Sequence, residues 1–238
     1  MKRNEVILGW VDVLVFGFEG LGDVWDLVLM DLDGALTDSK RGIVNSVRYA
    51  LDSMNVFLDE ATLEKFIGPP LRNSFMEYCG FDKTGAEKAI AKYREYFVPK
   101  GMLENELYPN IIPMLNNFRQ MGIVLVIATS KPTIYAEKIL SYFNIACYFS
   151  TIVGSEMDGA RSDKAEIIAC VLDELDSSRN MKAVMIGDRK HDIIGANMHK
   201  IDSIGVMWGY GGREELEAVC ASKIVSSTTE LQHIICGV

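Results

Sequence analysis

The stretch VLMDLDGALTDS, from Val28 to Ser39, joins an apolar run to a group of acidic residues. Its apolar run ends abruptly at two aspartates, Asp31 and Asp33, and a glycine follows them at once. Carboxylates resist burial unless they have partners, so a buried strand with two of them at its end needs a physical reason. The ends of the other predicted strands supply that reason.

Short β-branched runs alternate with longer amphipathic segments along the chain. Several runs are apolar throughout, which is typical of strands covered on both faces in a parallel sheet. The alternation predicts an α/β fold, a doubly wound parallel sheet with flanking helices. The predicted strands are 26–31, 123–128, 148–153, 182–186, 203–207 and 223–226.

One long interval, from about Asp38 to Leu107, contains no convincing strand and four helical patterns instead. Four helices inserted after the first strand would form a small bundle of their own, joined to the sheet through two linkers. The predicted helical segments are 42–54, 59–67, 71–79 and 85–98, and the predicted linkers are 38–41 and 107–110. The predicted domains are an α/β core over 26–40 and 108–238 and a helical unit over 41–107.

Charge and cysteine usage restrict the partners. The chain has 24 basic and 33 acidic side chains, a formal net charge of −9, and this acidity argues against nucleic acid as a partner. Five irregularly spaced cysteines argue against a disulfide framework or a zinc site. We expect reduced, mostly buried thiols in a cytoplasmic protein.

The first 25 residues form a predicted N-terminal extension of unknown role. They begin basic and become apolar, a weak similarity to a signal peptide. Asp12 interrupts the apolar run, which is also shorter than the ~20 apolar residues that span a bilayer. We therefore expect an extra strand or a loosely ordered segment, and no membrane partner.

Polar residues follow the predicted strands at the edge where a doubly wound sheet binds its ligands. Asp31 and Asp33 end the first strand, and with Asp188 they would bring three carboxylates to one place. Such carboxylates repel each other unless a cation lies among them, and oxygen ligands favour Mg²⁺. The Thr129 hydroxyl, the N–H groups near Gly34 and Ser130, and the Lys164 ammonium would suit a phosphoryl group.

Four segments together resemble the motifs of the haloacid dehalogenase superfamily, phosphatase branch. They are DLDGALTDS, ATSKP, DKAEII and GDRKHDIIGA, in the family's order from Leu27 onward. The helical insert resembles the cap domain of that family. The segment IGPPLRNSF, residues 67–75, resembles the substrate loop of phosphoglycolate-phosphatase-like and 5′-nucleotidase-like members.

The resemblance implies a role for each matching residue. Asp31 would attack phosphorus and form an aspartyl-phosphate, and Asp33 would act as general acid and then as general base. The Asp31 carboxylate, the Asp33 carbonyl and the Asp188 carboxylate would hold Mg²⁺. Asp192 would orient a metal-bound water or Lys164, while Thr129 and Lys164 would hold the phosphoryl oxygens. Ala35 departs from the family pattern, which usually has threonine there.

Each residue also has an ordinary structural interpretation. Asp33-Gly34 alone would be a turn, Thr129 alone would cap the helix that follows, and Asp188 alone would be a loop residue. Surface positions are expected for Lys131 and Lys190, and an exposed helical turn is expected for His191. Arg72 is expected either to contact substrate or to lie on the surface of the cap.

Two classes of function fit these residues. The first is a Mg²⁺-dependent phosphatase acting on a small phosphorylated metabolite, with a sugar-phosphate mutase as a variant. The second is a non-catalytic phosphate or nucleotide sensor, for which the acid Asp33 would have no use. Phosphoglycolate, a nucleoside monophosphate and a sugar phosphate all stay open as substrates, and the protein is expected to be a monomer or homodimer.

Overall fold

The computed structural model describes residues 25–175 and 181–237, so the predicted N-terminal extension lies almost wholly outside the described residues. A six-stranded parallel sheet has the strand order β5-β4-β1-β6-β7-β8. It confirms the predicted α/β fold. The strands are β1 (Leu27–Met30), β4 (Val124–Pro132), β5 (Thr151–Ser155), β6 (Ala183–Gly187), β7 (Asp202–Val206) and β8 (Lys223–Val225).

Helices cover both faces of the sheet, and β1 is buried between the two layers. Alternate residues of β1 join different apolar clusters: Val28 and Met30 lie in one, Leu27 and Leu29 in the other. This arrangement explains why the strand is apolar throughout rather than alternating. The flanking helices are α5 (Ile111–Gln120), α6 (Thr133–Tyr142), α7 (Lys164–Leu175), α8 (Lys190–Met198), α9 (Arg213–Ala218) and α10 (Thr228–Cys236).

The insert contains the four predicted helices. Its ends carry two strands that the sequence did not predict, β2 (Thr37–Asp38) and β3 (Glu106–Leu107), which pair antiparallel. Strands of two residues have no periodicity to detect. The two strands form a short ribbon at the base of the insert, which overlaps the predicted linkers only at Asp38 and Leu107. The helices are α1 (Lys40–Asp52), α2 (Glu60–Glu64), α3 (Leu71–Cys79) and α4 (Lys83–Phe97).

The division into core and cap domains stays a prediction. Buried side chains of the insert, such as Val47 and Phe75, share one continuous cluster with Val28 and Met30 of the sheet. Within the described residues, no helix combines the length and the apolar character that crossing a membrane requires.

The prediction of mostly buried thiols is wrong. Cys236 is buried, Cys79 and Cys170 are half-buried, and Cys147 and Cys220 are exposed. The two exposed cysteines lie in turns rather than on the apolar faces of helices or strands. Cys147 is in a 3₁₀ turn, and Cys220 follows α9 with a left-handed backbone, φ 59°.

Candidate active site

Three buried carboxylates converge at the carboxyl edge of the sheet, and they differ in part from the predicted three. Oxygens of Asp31, Asp188 and Asp192 lie within 4.8 Å of one another. Asp31 follows β1 and Asp188 follows β6, which pair directly in the sheet. The third carboxylate comes from Asp192 rather than Asp33, because α8 begins just after Asp188 and turns Asp192 back toward it.

Lys164 binds this cluster from the first residue of α7. Its ammonium lies 2.9 Å from Asp31 Oδ1 and 2.7 Å from Asp192 Oδ1, and it donates to the Ala128 carbonyl at 2.8 Å. The lysine side chain is 4% exposed. The predicted neighbours Asp31 and Lys164 are therefore in direct contact although they are far apart in sequence.

The charges in this cluster shift each other's ionisation. Burial raises the pKa of Asp188 well above its usual range, and the nearby Asp192 and Asp31 add to that effect. Burial also raises the pKa of Asp192, against the attraction of Lys164. Burial disfavours the charged form of Lys164 and by itself lowers the pKa of the ammonium. The attraction of Asp192 and Asp31 is stronger, so the pKa of Lys164 is raised. One lysine thus does not neutralise three carboxylates.

The donor set suits a hard divalent cation. Asp188 Oδ1 is buried and, among the described residues, has no hydrogen-bond partner. Its Oδ2 accepts from the N–H of Tyr210 at 2.7 Å, which fixes the carboxylate. Asp31 and Asp188 could therefore hold Mg²⁺, which prefers oxygen ligands. Metal contacts of Asp192 and of the Asp33 carbonyl stay predictions.

Asp192 is already held by protein groups. Its Oδ2 accepts from the N–H of Arg189 at 3.1 Å, as part of the cap of α8. Its Oδ1 lies at ion-pair distance from Lys164 without the geometry of a hydrogen bond. This arrangement fits the predicted orientation of Lys164 by Asp192.

Asp33 contacts Lys131, for which the surface prediction is wrong. The Lys131 ammonium lies 2.8 Å from Asp33 Oδ2, and the two side chains are 6% and 9% exposed. It also lies 4.8 Å from the centre of the Phe97 ring on α4. Its place in the sequence could have predicted the contact with Asp33, because Lys131 lies in the same strand-end segment as Thr129. The other lysine, Lys190, is exposed as predicted.

The predicted phosphate-binding residues lie next to this pair. Thr129 is buried, and its hydroxyl accepts from the N–H of Lys131 at 3.3 Å. It does not cap α6, whose N-cap is Pro132. Ser130 lines a cavity beside Asp33. The capping alternative for Thr129 is therefore wrong, while its phosphate contact and that of Ser130 stay predictions.

Gly34 is required where Asp188 approaches the first loop. Its φ is 92°, and a Cβ there would lie 2.2 Å from Asp188 Oδ2. Its N–H donates to the Thr37 carbonyl at 2.8 Å. A phosphate contact at Gly34 stays a prediction, and it would have to replace this bond.

A loop that the sequence did not single out, 207–212, supports the site. Its Tyr210 N–H holds Asp188, and the Tyr210 hydroxyl donates to Asp38 Oδ1 at 2.8 Å. The Trp208 indole donates to the Ala35 carbonyl at 3.0 Å. The first loop is thus held at Ala35 through its backbone, at the position where the family pattern has a threonine hydroxyl.

The 67–75 segment contacts the sheet domain at Ile67 and Arg72, and its role as a substrate loop stays a prediction. Arg189 donates to the Ile67 carbonyl at 2.5 Å and pairs with Glu215 at 2.9 Å. Arg72 pairs with Glu87 and donates to the Asp158 carbonyl at 2.8 Å. Its contact with substrate stays a prediction. His191, expected on an exposed turn, is half-buried, and burial lowers its pKa.

A parallel sheet with buried carboxylates and a lysine at its carboxyl edge, below a helical insert, defines a class of phosphoryl-transfer proteins. Comparison with known proteins makes the class specific. Residues 28–206 match the model of the haloacid dehalogenase-like hydrolase family. The chain belongs to this family, and the prediction of a hydrolase of this type is confirmed.

The relatives carry several names. A 5′-nucleotidase of Pseudomonas aeruginosa is 42% identical, over 87% of this chain and 94% of that protein. The tyrosine-protein kinase PtkA of Mycobacterium tuberculosis is 37% identical, over 87% of this chain and 71% of that protein. A phosphoglycolate phosphatase of Colwellia psychrerythraea is 26% identical, over 80% of this chain and 88% of that protein. The crystal structure of a predicted phosphatase from Clostridium acetobutylicum superposes with a TM-score of 0.86 at 45% sequence identity. The match covers 91% of this chain and 100% of that one.

Proposed function

We propose that this protein is a Mg²⁺-dependent phosphatase that hydrolyses a small phosphomonoester through an aspartyl-phosphate on Asp31. The buried cluster of Asp31, Lys164, Asp188 and Asp192 supports this most strongly. A cluster with one cation and three carboxylates is stable in a buried site when a further cation joins it. Bound Mg²⁺ would supply charge neutralisation for a phosphoryl group.

The residues divide the chemistry between them. The Asp31 carboxylate attacks phosphorus, and the alcohol leaves with a proton from Asp33. Asp33 then takes a proton from the water that hydrolyses the aspartyl-phosphate. Lys164 and Thr129 hold the phosphoryl oxygens in place, and Asp192 keeps Lys164 oriented. The helical unit over 41–107 would act as a cap that excludes water during these steps.

The proposed substrate is a small phosphorylated metabolite. The protein is proposed to act in the cytoplasm. The names of the relatives favour a nucleoside monophosphate or a phosphoglycolate-like ester. A mutase would share the aspartyl-phosphate but pass the phosphoryl group back to a sugar. A non-catalytic sensor would have no use for a proton donor at Asp33.

Phosphate release from an aryl phosphate tests the proposal. We expect turnover that needs Mg²⁺, stops with EDTA and falls about 10⁴-fold or more in Asp31→Asn, which keeps the size of the side chain but not the nucleophile. Lys92→Met is a matched control, because Lys92 pairs with Glu95 on the exposed face of α4. Activity of Asp31→Asn near that of the wild type would contradict the assignment.

A further inference from the structure

Tyr210 contacts the proposed metal site with its backbone and the helical insert with its side chain. Its N–H donates to Asp188 Oδ2 at 2.7 Å. Its hydroxyl donates to Asp38 Oδ1 at 2.8 Å and accepts from the N–H of Lys40 at 3.0 Å. Asp38 ends β2 and Lys40 begins α1, so both partners of the hydroxyl lie where the chain enters the insert. One half-buried residue therefore joins the two parts of the molecule.

The first turn of α1 depends in part on this hydroxyl. The first N–H groups of a helix have no partner within the helix and need acceptors from elsewhere. Ser39 precedes α1 and is of a type that often supplies such an acceptor, but its side chain makes no capping bond. The N–H of Lys40 instead donates to Asp38 Oδ1 at 3.2 Å and to the Tyr210 hydroxyl. A group from outside the insert thus takes part in the cap of its first helix.

The same hydroxyl also contacts the connection through which the chain leaves the insert. Tyr108 directly follows β3, and its hydroxyl interacts with that of Tyr210. The N–H of Tyr108 donates to the Leu36 carbonyl at 3.1 Å, which ties this connection to the loop after β1. Both connections of the insert therefore meet at the Tyr210 side chain.

The loop that carries Tyr210, residues 207–212, is packed tightly on Asp188. A Cβ at Gly209 would collide with the Asp188 side chain, and a Cβ at Gly211 would collide with the Asp188 carbonyl oxygen. Only glycine allows the backbone to approach so closely. Because Tyr210 lies between these two glycines, its backbone is held against Asp188 on both sides, and a shift of Asp188 would move it.

We propose that Tyr210 is a positioning residue that couples the metal site to the insert, so that Mg²⁺ at Asp188 also fixes the start of α1. The inference rests on the Mg²⁺ site of the proposed function and goes beyond it, because it links that site to the placement of the proposed cap. Two sites are coupled when occupation of one changes the free energy of the other. The physical connection here is the backbone and the hydroxyl of one residue.

The two ends of this connection explain why the metal should matter. Asp188 Oδ1 has no hydrogen-bond partner among the described residues, so it is the oxygen left for a cation. A carboxylate held at both oxygens restrains its N–H donor more firmly, because bonds to a charged acceptor are short and strong. At the other end, Asp38 is exposed and can exchange the hydroxyl for water. Its bond to Tyr210 therefore lasts only while the loop is fixed.

Hydrogen exchange measured by mass spectrometry tests the coupling without any substrate. Segment 38–47 reports on the start of α1 and segment 183–193 reports on Asp188, each with EDTA and with saturating Mg²⁺. In the wild type we expect Mg²⁺ to slow exchange in both segments. The expected slowing at 38–47 is about fivefold, at the lower end of typical coupling between two sites.

Tyr210→Phe is the decisive variant, because it keeps the ring and the backbone N–H but removes the hydroxyl. The effect of Mg²⁺ should remain at 183–193 and disappear at 38–47. A hydroxyl with a purely structural role would change exchange at 38–47 equally with and without Mg²⁺. The difference between the two conditions therefore reports on the coupling.

Two further variants complete the test. Tyr148→Phe is the matched control, since it removes a hydroxyl bond to Asn116 Oδ1, 3.0 Å long, that lies away from the insert. Its Mg²⁺ effects should equal those of the wild type. Asp38→Ala removes a partner of the Tyr210 hydroxyl and should lose part of the effect at 38–47. Combined with Tyr210→Phe, it should lose no more than Tyr210→Phe alone, because both changes remove the same bond.

The outcomes separate this inference from the proposed function. Slower exchange at 183–193 but not at 38–47 in the wild type would overturn the coupling and leave the Mg²⁺ site standing. An effect at 38–47 that survives in Tyr210→Phe, or losses in the two variants that add up, would also overturn it, because the hydroxyl would then not transmit the effect. No change on Mg²⁺ addition in either segment would contradict the metal site itself.

Discussion

The ammonium of Lys131 lies 2.8 Å from Oδ2 of Asp33, and both side chains are more than nine-tenths buried. The pair joins the second strand-end segment to the proposed acid, and the Phe97 ring of the insert packs over it. Each of the two aspartates that end the first strand thus has a lysine beside it, Lys164 at Asp31 and Lys131 at Asp33.

Removing Lys131 should destabilise the fold. Lys131→Met leaves the Asp33 carboxylate buried without its cation, and breaking a buried pair in this way costs about 3 kcal/mol. Urea unfolding followed by circular dichroism measures the loss. Lys92→Met, at an exposed pair, should not change the midpoint measurably. Equal midpoints for wild type and Lys131→Met would show that the buried pair adds nothing.

Asp33→Asn should separate substrates by their leaving groups. The variant keeps the backbone carbonyl but cannot donate the proton, and loss of a general acid costs about 10²–10⁴-fold. A nitrophenyl phosphate, whose leaving group needs no proton, should lose less than benzyl phosphate. The comparison uses kcat/KM for both esters in both proteins. Equal losses would assign Asp33 another role.

Thermal stability without metal should fall as pH rises. The folded-state pKa values of Asp188 and Asp192 are raised by burial, so the folded protein retains protons that the unfolded chain releases above the ordinary value of 3.8. The unfolded chain binds fewer protons in that window, so the free energy of unfolding decreases as pH rises.

Mg²⁺ should remove this penalty because it neutralises the ionised carboxylates. The rise in Tm caused by Mg²⁺ should be larger at about pH 8 than at about pH 5, since the metal must compete with protons. Asp188→Asn should lose most of the rise. A rise that is independent of pH, or unchanged in Asp188→Asn, would place the metal elsewhere.

Arg72→Ala should weaken catalysis for every ester. The variant removes the ion pair of Arg72 with Glu87 on α4 and its hydrogen bond to the Asp158 carbonyl, and the second of these joins the insert to the sheet domain. KM should therefore rise alike for phosphoglycolate and for an aryl phosphate without a carboxylate. A loss confined to phosphoglycolate would show instead that Arg72 contacts the substrate carboxylate directly.

The sequence predicted the fold well where burial dominates. Val28 and Leu29 face opposite layers, and their continuous apolar character already indicates a covered strand. The sequence did not predict the ribbon formed by Thr37–Asp38 and Glu106–Leu107, because strands of two residues are too short to show a periodic apolar pattern.

The sequence predicted the main residues of the site but not the contacts between segments that only the folded chain brings together. Asp31, Asp188 and Lys164 follow from the strand-end rule and the order of the motifs. The Tyr210 N–H that holds Asp188 could not be predicted, because a backbone donor carries no sequence signal. The Phe97 ring that packs over Lys131 belongs to a helix of the insert, far from Lys131 in sequence, so no pattern in the sequence indicated this contact.

Trapping of the phosphoenzyme tests whether Asp31 is the nucleophile. Asp33→Asn should attack a radiolabelled nitrophenyl phosphate normally but hydrolyse the aspartyl-phosphate slowly, because its general base is missing. After an acid quench in the presence of Mg²⁺, the label should be found on the peptide that contains Asp31, be released by hydroxylamine, and be absent when Asp31 is also changed to Asn. A protein that releases phosphate yet carries no label, or carries it on another residue, would contradict the account.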